Sequence, residues 1–214
     1  MDRHLKANRS KRRQIRMAAN DRRKQLVSIA MDLIAAKGFE GLRFQEVAKL
    51  AGINNATLFY HFSSKEELIQ GVMEHLGEEF RKTPPPPRDK ARTAIEDLQL
   101  EFEGIRKLLR EQPKLFLVVT EISLRALRDP IIEKVVRTLD DHWRRHLKEV
   151  ISRGIQEGAF RSDIEVGCVA VGLMAQIKGI GFHATTGKLK QREIEKSLAE
   201  IGRQVEYWLS RETE

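Results

Sequence analysis

The chain has 214 residues, 41% hydrophobic and 33% charged, a composition that suits a soluble globular protein of one or two domains. Its single cysteine, Cys168, excludes an intrachain disulfide or a thiolate metal cluster and fits a reducing cytoplasm. The net charge of +8 sits in one place: residues 1–24 hold ten Lys or Arg and two Asp, and the remainder carries 29 basic and 29 acidic residues.

The first 20 residues therefore read as a basic, flexible arm attracted to phosphate, with a solvated tail as the alternative. No apolar stretch follows the arm as a secretory signal requires. It also lacks the aromatic or leucine face that would insert into a membrane surface. The most apolar stretch, 164–182, contains Glu165, Gln176, Lys178 and several glycines, so a buried helix fits it better than a membrane span.

From Gln25 the pattern becomes helical. Leu26, Ile29, Ala30, Leu33 and Ile34 form an amphipathic stripe that Gly38 ends. A short helix is predicted from Phe44 to Ala51, a turn at Gly52, and a third helix capped by Asn54 and running to His61. Ser64 and Glu67 have the spacing of a capping box for a fourth helix with Leu68, Val72 and Leu76 on its buried face. Four consecutive prolines at 84–87 must end that helix and form a stiff polyproline linker. Further helices are predicted at about 88–111, 113–127, 130–157, 163–185 (capped by Asp163) and 189–210. The fold class is all-α with about nine helices. The arm at 1–20 precedes a helix-turn-helix domain at 21–66, a connecting helix and linker at 67–87, and a second helical domain at 88–214.

Ala48, Gly52 and Leu58 have helix-turn-helix spacing, with Val47, Ile53 and Phe62 completing a small three-helix core. The second helix of such a unit fits the major groove, because its diameter matches the groove width. No phosphate loop, nucleophile elbow, metal-ligand spacing or paired-carboxylate motif is visible, so neither an enzyme nor a resident cofactor or metal is expected.

Gly38-Phe39-Glu40-Gly41, Val47-Ala48, Ala51-Gly52-Ile53, Thr57-Leu58-Phe59-Tyr60-His61-Phe62 and Ser64-Lys65-Glu66-Glu67-Leu68 closely resemble the N-terminal domain of TetR-family transcriptional regulators. The similarity is dense from Arg22 to Leu76 and looser beyond Pro87, at Arg125–Pro130 and Gly158–Asp163. The resemblance implies a homodimeric regulator, most simply a repressor released from a palindromic operator on double-stranded DNA by a small-molecule effector. A DNA-organising protein with the same head and no effector is the alternative.

Carried over by position, Asn55, Ala56, Thr57 and Tyr60 would face base edges or flanking phosphates, with Gln45 reaching a base from the preceding helix and Asn54 at the start of the reading helix. Asn suits adenine, and the Ala and Thr methyls suit the thymine methyl. His61 and Lys65 would contact phosphate. Two positions depart from the family pattern. Arg43 replaces a hydroxyl cap and can instead reach a phosphate. Phe59 replaces a tyrosine and loses its hydroxyl, which leaves it partly core. In the arm, Arg12, Arg13 and Arg16 are expected at the DNA. In the second domain, Phe102, Leu109, Phe116, Thr120, Trp143, His146, Met174 and Gln176 are candidate walls of a ligand pocket. The last two helices are expected to form the dimer interface, the first small-faced through Gly167, Ala170, Gly172, Ala175, Gly179 and Gly181.

Overall fold

A computed structural model describes the backbone of residues 2–81, 92–187 and 189–210, and side chains from residue 20 onward with the exception of Arg81. Nine α-helices occupy the described residues: α1 (Asp2–Lys37), α2 (Phe44–Leu50), α3 (Asn55–His61), α4 (Lys65–Arg81), α5 (Ala94–Glu111), α6 (Pro113–Ala126), α7 (Pro130–Gln156), α8 (Val166–Thr185) and α9 (Gln191–Leu209). A single 3-10 turn, Phe39–Gly41, joins α1 to the approach of α2. The chain divides into two compact units, Met1–His75 and Leu76–Glu214.

The first unit closes around Leu26, Ala30 and Ile34 of α1, Val47 and Ala48 of α2, Leu58 of α3, and Leu68, Ile69 and Val72 of α4, all buried. Phe62, fully buried, sits between α3 and α4. Gly71 on α4 leaves room for it, since a Cβ there would stand 3.0 Å from the Phe62 ring and 3.2 Å from Val27. The turn between α2 and α3 depends on Gly52, whose φ of 65° lies in the left-handed region. The Ile53 amide then donates to the Ala48 carbonyl at 3.0 Å, closing the end of α2.

In the second unit α6, α7 and α8 pack on one another, and α9 lies against α5 and α8. The apolar face of α5 (Leu98, Ile105, Leu108, Leu109) meets Leu115, Phe116, Val118 and Ile122 of α6 in the core. By length and composition α8 could cross a membrane. Its Val169, Ala170, Leu173, Met174 and Ile177 are buried in this bundle.

Several helix limits differ from the sequence expectation. The backbone of α1 is helical from Asp2, where a flexible arm to residue 20 is expected. Lys and Arg are good helix formers, and no Gly or Pro interrupts residues 2–37. The side chains of Arg12, Arg13 and Arg16 lie outside the described residues, as do the four prolines and the linker expected there. α5 begins at Ala94 rather than near Arg88, because Thr93 and Glu96 form a reciprocal capping box. Glu165, not Asp163, caps α8 by accepting from the Gly167 and Cys168 amides. Asp163 is engaged with Arg161 two residues earlier. At α4, Ser64 Oγ accepts from the Glu67 amide at 3.2 Å, but the Glu67 carboxylate reaches the Ser63 amide instead of Ser64's own.

Candidate functional site

The N-terminal unit presents α3 with one face buried by Leu58 and the opposite face open. Asn54 Oδ1 accepts from the Thr57 amide at 2.8 Å and from the Thr57 hydroxyl at 2.9 Å. This cap satisfies an orphan donor of the first turn and fixes the Thr57 rotamer. The Thr57 hydroxyl proton is thereby committed, leaving its oxygen lone pairs and methyl for an outside partner. Asn55 and Ala56 are exposed beside it, and Tyr60 is 83% exposed. Its ring and hydroxyl are therefore open to an outside partner.

Phe59 is half exposed, with its ring 5.0 Å from that of Phe44, so it braces α3 on α2. Gln45 and Arg43 are exposed at the start of α2, and Arg43 makes no side-chain cap. The Phe44–Phe59 contact brings the start of α2 beside the later part of α3. Lys65 is less free than the sequence implies: its ammonium lies 4.5 Å from the centre of the Phe39 ring.

Sequence reasoning overlooked Arg23, counting it only as part of the basic segment. Its guanidinium lies 4.0 Å from the Phe62 ring centre and donates to the His61 carbonyl at 2.5 Å and to Glu67 at 3.2 Å. It thus ties α1 to the end of α3 and the start of α4. The available signal was its spacing, three and four residues before Leu26 and Val27, on the buried stripe of α1. Glu67 is held by the Ser63 amide first, then by the Ser63 hydroxyl and Arg23, which keep its carboxyl below the usual 4.5. A lowered folded value means stabilisation is complete above the unfolded value and fades as pH falls through the folded one. Arg23→Met should destabilise the first unit by about 1–2 kcal/mol. Urea unfolding of the full chain, with amide exchange in α1 and α3, checks this; unchanged exchange would show the clamp to be idle.

Burial first, and then the charges of Arg22 and Arg23, hold the His61 imidazole below its ordinary 6.5. The ring stacks edge-on against Tyr60 at 5.3 Å.

The second unit contains a partly open cavity of about 490 Å³ between α5, α6, α7 and α8 and the end of α4. Phe116, Thr120, Trp143 and His146 are among its walls. The other four pocket candidates are not. Phe102 is buried against Gly202 of α9, 3.6 Å from where a Cβ would stand. Leu109 and Met174 are buried in the core, and Gln176 is on the exposed side of α8. The α8 wall consists of Ile177, Lys178, Gly181 and Phe182, one turn beyond Met174. Asp97 and Glu101 of α5 and Asp140 of α7 also line the cavity; none of them was singled out from the sequence.

The small residues of α8 divide between two faces. Ala170 is buried, and Gly181 lies so close to Phe116 that a Cβ would stand 2.7 Å from the ring. Gly172 and Gly179 have nothing within 4 Å of an added Cβ. With the exposed Ala175, they form an open strip that Val171 and Phe182 flank with exposed apolar surface.

The sequence pattern described as "Bacterial regulatory proteins, tetR family" matches residues 26–72, and "BetI-type transcriptional repressor, C-terminal" matches residues 94–203. The chain is 26% identical over 154 residues to the HTH-type transcriptional repressor KstR2 of Mycobacterium tuberculosis, covering 70% of this chain and 74% of that one. It is 25% identical over 209 residues to the HTH-type transcriptional regulator CymR of Pseudomonas putida, covering 91% and 95%. A TetR transcriptional regulator from Chloroflexus aurantiacus superposes with a TM-score of 0.77 at 17% identity, over 91% of this chain and 98% of that one. The helix-turn-helix head, the helical second unit and both matched patterns lead to one conclusion: this chain belongs to the TetR family of bacterial DNA-binding transcriptional regulators.

Proposed function

We propose that this regulator is a homodimeric repressor that holds a palindromic operator through α3 and is released by a small molecule bound in the second unit. The observation that carries the reading is the pairing of an exposed reading helix, Asn55 to Tyr60, with a cavity of about 490 Å³ in the second unit. That volume is within the range of small-molecule sites. Asn55, Ala56, Thr57 and Tyr60 meet bases or flanking phosphates, with Gln45 and Arg43 alongside and His61 and Lys65 at the backbone. Asn54 and Phe59 act mainly by positioning α3. No enzymatic step is assigned to the chain. Its test is release: a protein-free small-molecule extract of the source cells should dissociate the full chain from its operator. Retention with every extract would contradict an effector and favour a DNA-organising role.

Two heads fit one operator only at a fixed separation of about one helical turn, 34–36 Å. The open strip on α8 and the exposed Tyr207 and Trp208 of α9 support dimerisation through these helices. Gly179→Arg should be accommodated by the subunit, because nothing lies within 4 Å of where its Cβ would stand and the residue is exposed. It should leave the thermal melt of the subunit unchanged and shift sedimentation to the monomer. A dimer of unaltered strength would place the interface elsewhere.

A phosphate beside His61 would raise the imidazole value that burial and the arginines lower. Binding then takes up a proton. Its contribution is complete below the free value and is lost as pH rises through the bound one. Operator affinity should therefore rise as pH falls from 7.5 through about 6, by roughly threefold to tenfold. His61→Gln should flatten that rise in fluorescence anisotropy titrations; an unaltered profile would remove His61 from the interface.

A further inference from the structure

The charges around the cavity do not cancel locally. Three acidic side chains line it. Asp97 is paired with Arg92 at 3.1 Å and also with Arg153, and Asp140 is paired with Lys178 at 2.5 Å. The third, Glu101, has no lysine or arginine partner among the described residues. Its Oε1 accepts a hydrogen bond from Trp143 Nε1 at 2.6 Å, which fixes the carboxylate against an indole. His146 Nε2 stands 3.8 Å from the other oxygen, beyond hydrogen-bond distance, on a side chain half exposed to solvent. The Glu101 side chain is only 22% exposed. Partial burial removes some of the water that would otherwise solvate this carboxylate, and a cation or further donors would replace it. Trp143, Phe116 and Phe182 all border the cavity.

We propose that this cavity binds a small organic ammonium ion, an apolar body ending in a positively charged nitrogen, with Glu101 as its counter-ion and Trp143 beside it. The assignment rests on the reading of the cavity as an effector site. An ammonium placed there gains the Glu101 oxygen that accepts no hydrogen bond and the attraction of ring faces for a cation. Lys178, already paired with Asp140, and His142 and His146 also line the cavity, and Arg92 Nη1 there is buried without a hydrogen-bond partner. That guanidinium is already paired with Asp97, so an anionic ligand reaching it would enter beside the Asp97 carboxylate. Net attraction at the cavity therefore favours positive charge.

A matched trio decides the sign of charge: 4-phenylbutylammonium, 4-phenylbutan-1-ol and 4-phenylbutyrate, titrated calorimetrically into the full chain. The ammonium should bind one per chain, at least tenfold more tightly than the alcohol, with the carboxylate weakest. Glu101→Gln keeps an acceptor for Trp143. It should weaken the ammonium at least tenfold and leave the alcohol within twofold, whereas general damage to the cavity would weaken both. Trp143→Phe, which keeps an aromatic wall, should cost the ammonium a smaller factor. Equal or tighter binding of the carboxylate, an ammonium affinity unmoved by Glu101→Gln, or no binding by any of the three would overturn the charge assignment. Release of the operator by cell extract stands or falls separately. A cavity that takes the carboxylate remains an effector site of the opposite sign, and a chain that no extract releases has no effector reading to deepen.

Discussion

Replacing Phe160 by alanine should lower the stability of the second unit by about 3–5 kcal/mol, the cost of emptying a fully buried aromatic site. Phe160 is only 1% exposed, at the turn between α7 and α8. The ring lies over Gly154 of α7, where any Cβ would collide with it. The backbone is fixed there as well: the Phe160 amide donates to the Gly154 carbonyl at 3.0 Å, and the Arg161 amide donates to Leu209 of α9 at 2.9 Å. This one ring thus joins the turn to α7 while its neighbour holds the end of α9. Gly154→Val should act by the converse route, overpacking the same contact for about 1–3 kcal/mol. Urea unfolding of the full chain, followed by circular dichroism, gives both numbers. A loss below about 1 kcal/mol for Phe160→Ala would mean that the α7–α8 turn does not anchor the unit.

The second large effect concerns charge. Residues 2–16 carry seven Lys or Arg and one Asp, against a head whose own charge is close to balanced. If about three of those cations meet phosphate, each releases a counter-ion, and the slope of log affinity against log salt should fall by about 3 on deleting the segment. At low salt the affinity should drop by roughly 10–100-fold, while the preferred DNA sequence stays the same. Anisotropy titrations across a salt series check this. Unchanged affinity and slope would make the segment a solvated tail. The helical backbone of α1 from Asp2 makes a test with proline informative too. Ala7→Pro should weaken binding less than the deletion if charge acts alone.

The head was legible in the sequence because its chemistry is local. Gly52 has to accept a left-handed turn, Asn54 has to cap, and Leu26, Ala30, Val47 and Leu58 have to face inward. Each of these follows from spacing within about a dozen residues. Arg23 was not legible as a clamp, since its partners His61 and Glu67 lie 38 and 44 residues away. Two helix starts moved to the residue that caps them: α5 follows Thr93, and α8 follows Glu165 rather than Asp163. Both residues carry an oxygen placed to accept from amides two or three residues on.

The cavity was half legible for a related reason. Periodicity identifies the apolar face of a helix but not whether that face meets a neighbour or a void. Phe102 and Phe116 look equivalent on α5 and α6, yet Phe116 borders this cavity while Phe102 packs on Gly202 beside a separate, more open one between α5 and α9. Met174 lies on the inward face of α8, but the cavity opens only at Ile177 and beyond. The charged walls, Asp97, Glu101 and Asp140, were passed over because acids on amphipathic helices ordinarily face water.

The central claim is that sequence is read by the exposed face of α3. Its most direct test is the recovery and sequencing of all genomic DNA bound by the full chain, repeated with the double variant Thr57→Ala/Tyr60→Ala. One or a few sites should be recovered, sharing an inverted repeat with half-sites one helical turn apart, and the double variant should lose them while keeping weak, salt-sensitive binding. Many dispersed sites without a common repeat, or an identical set of sites for the variant, would contradict it.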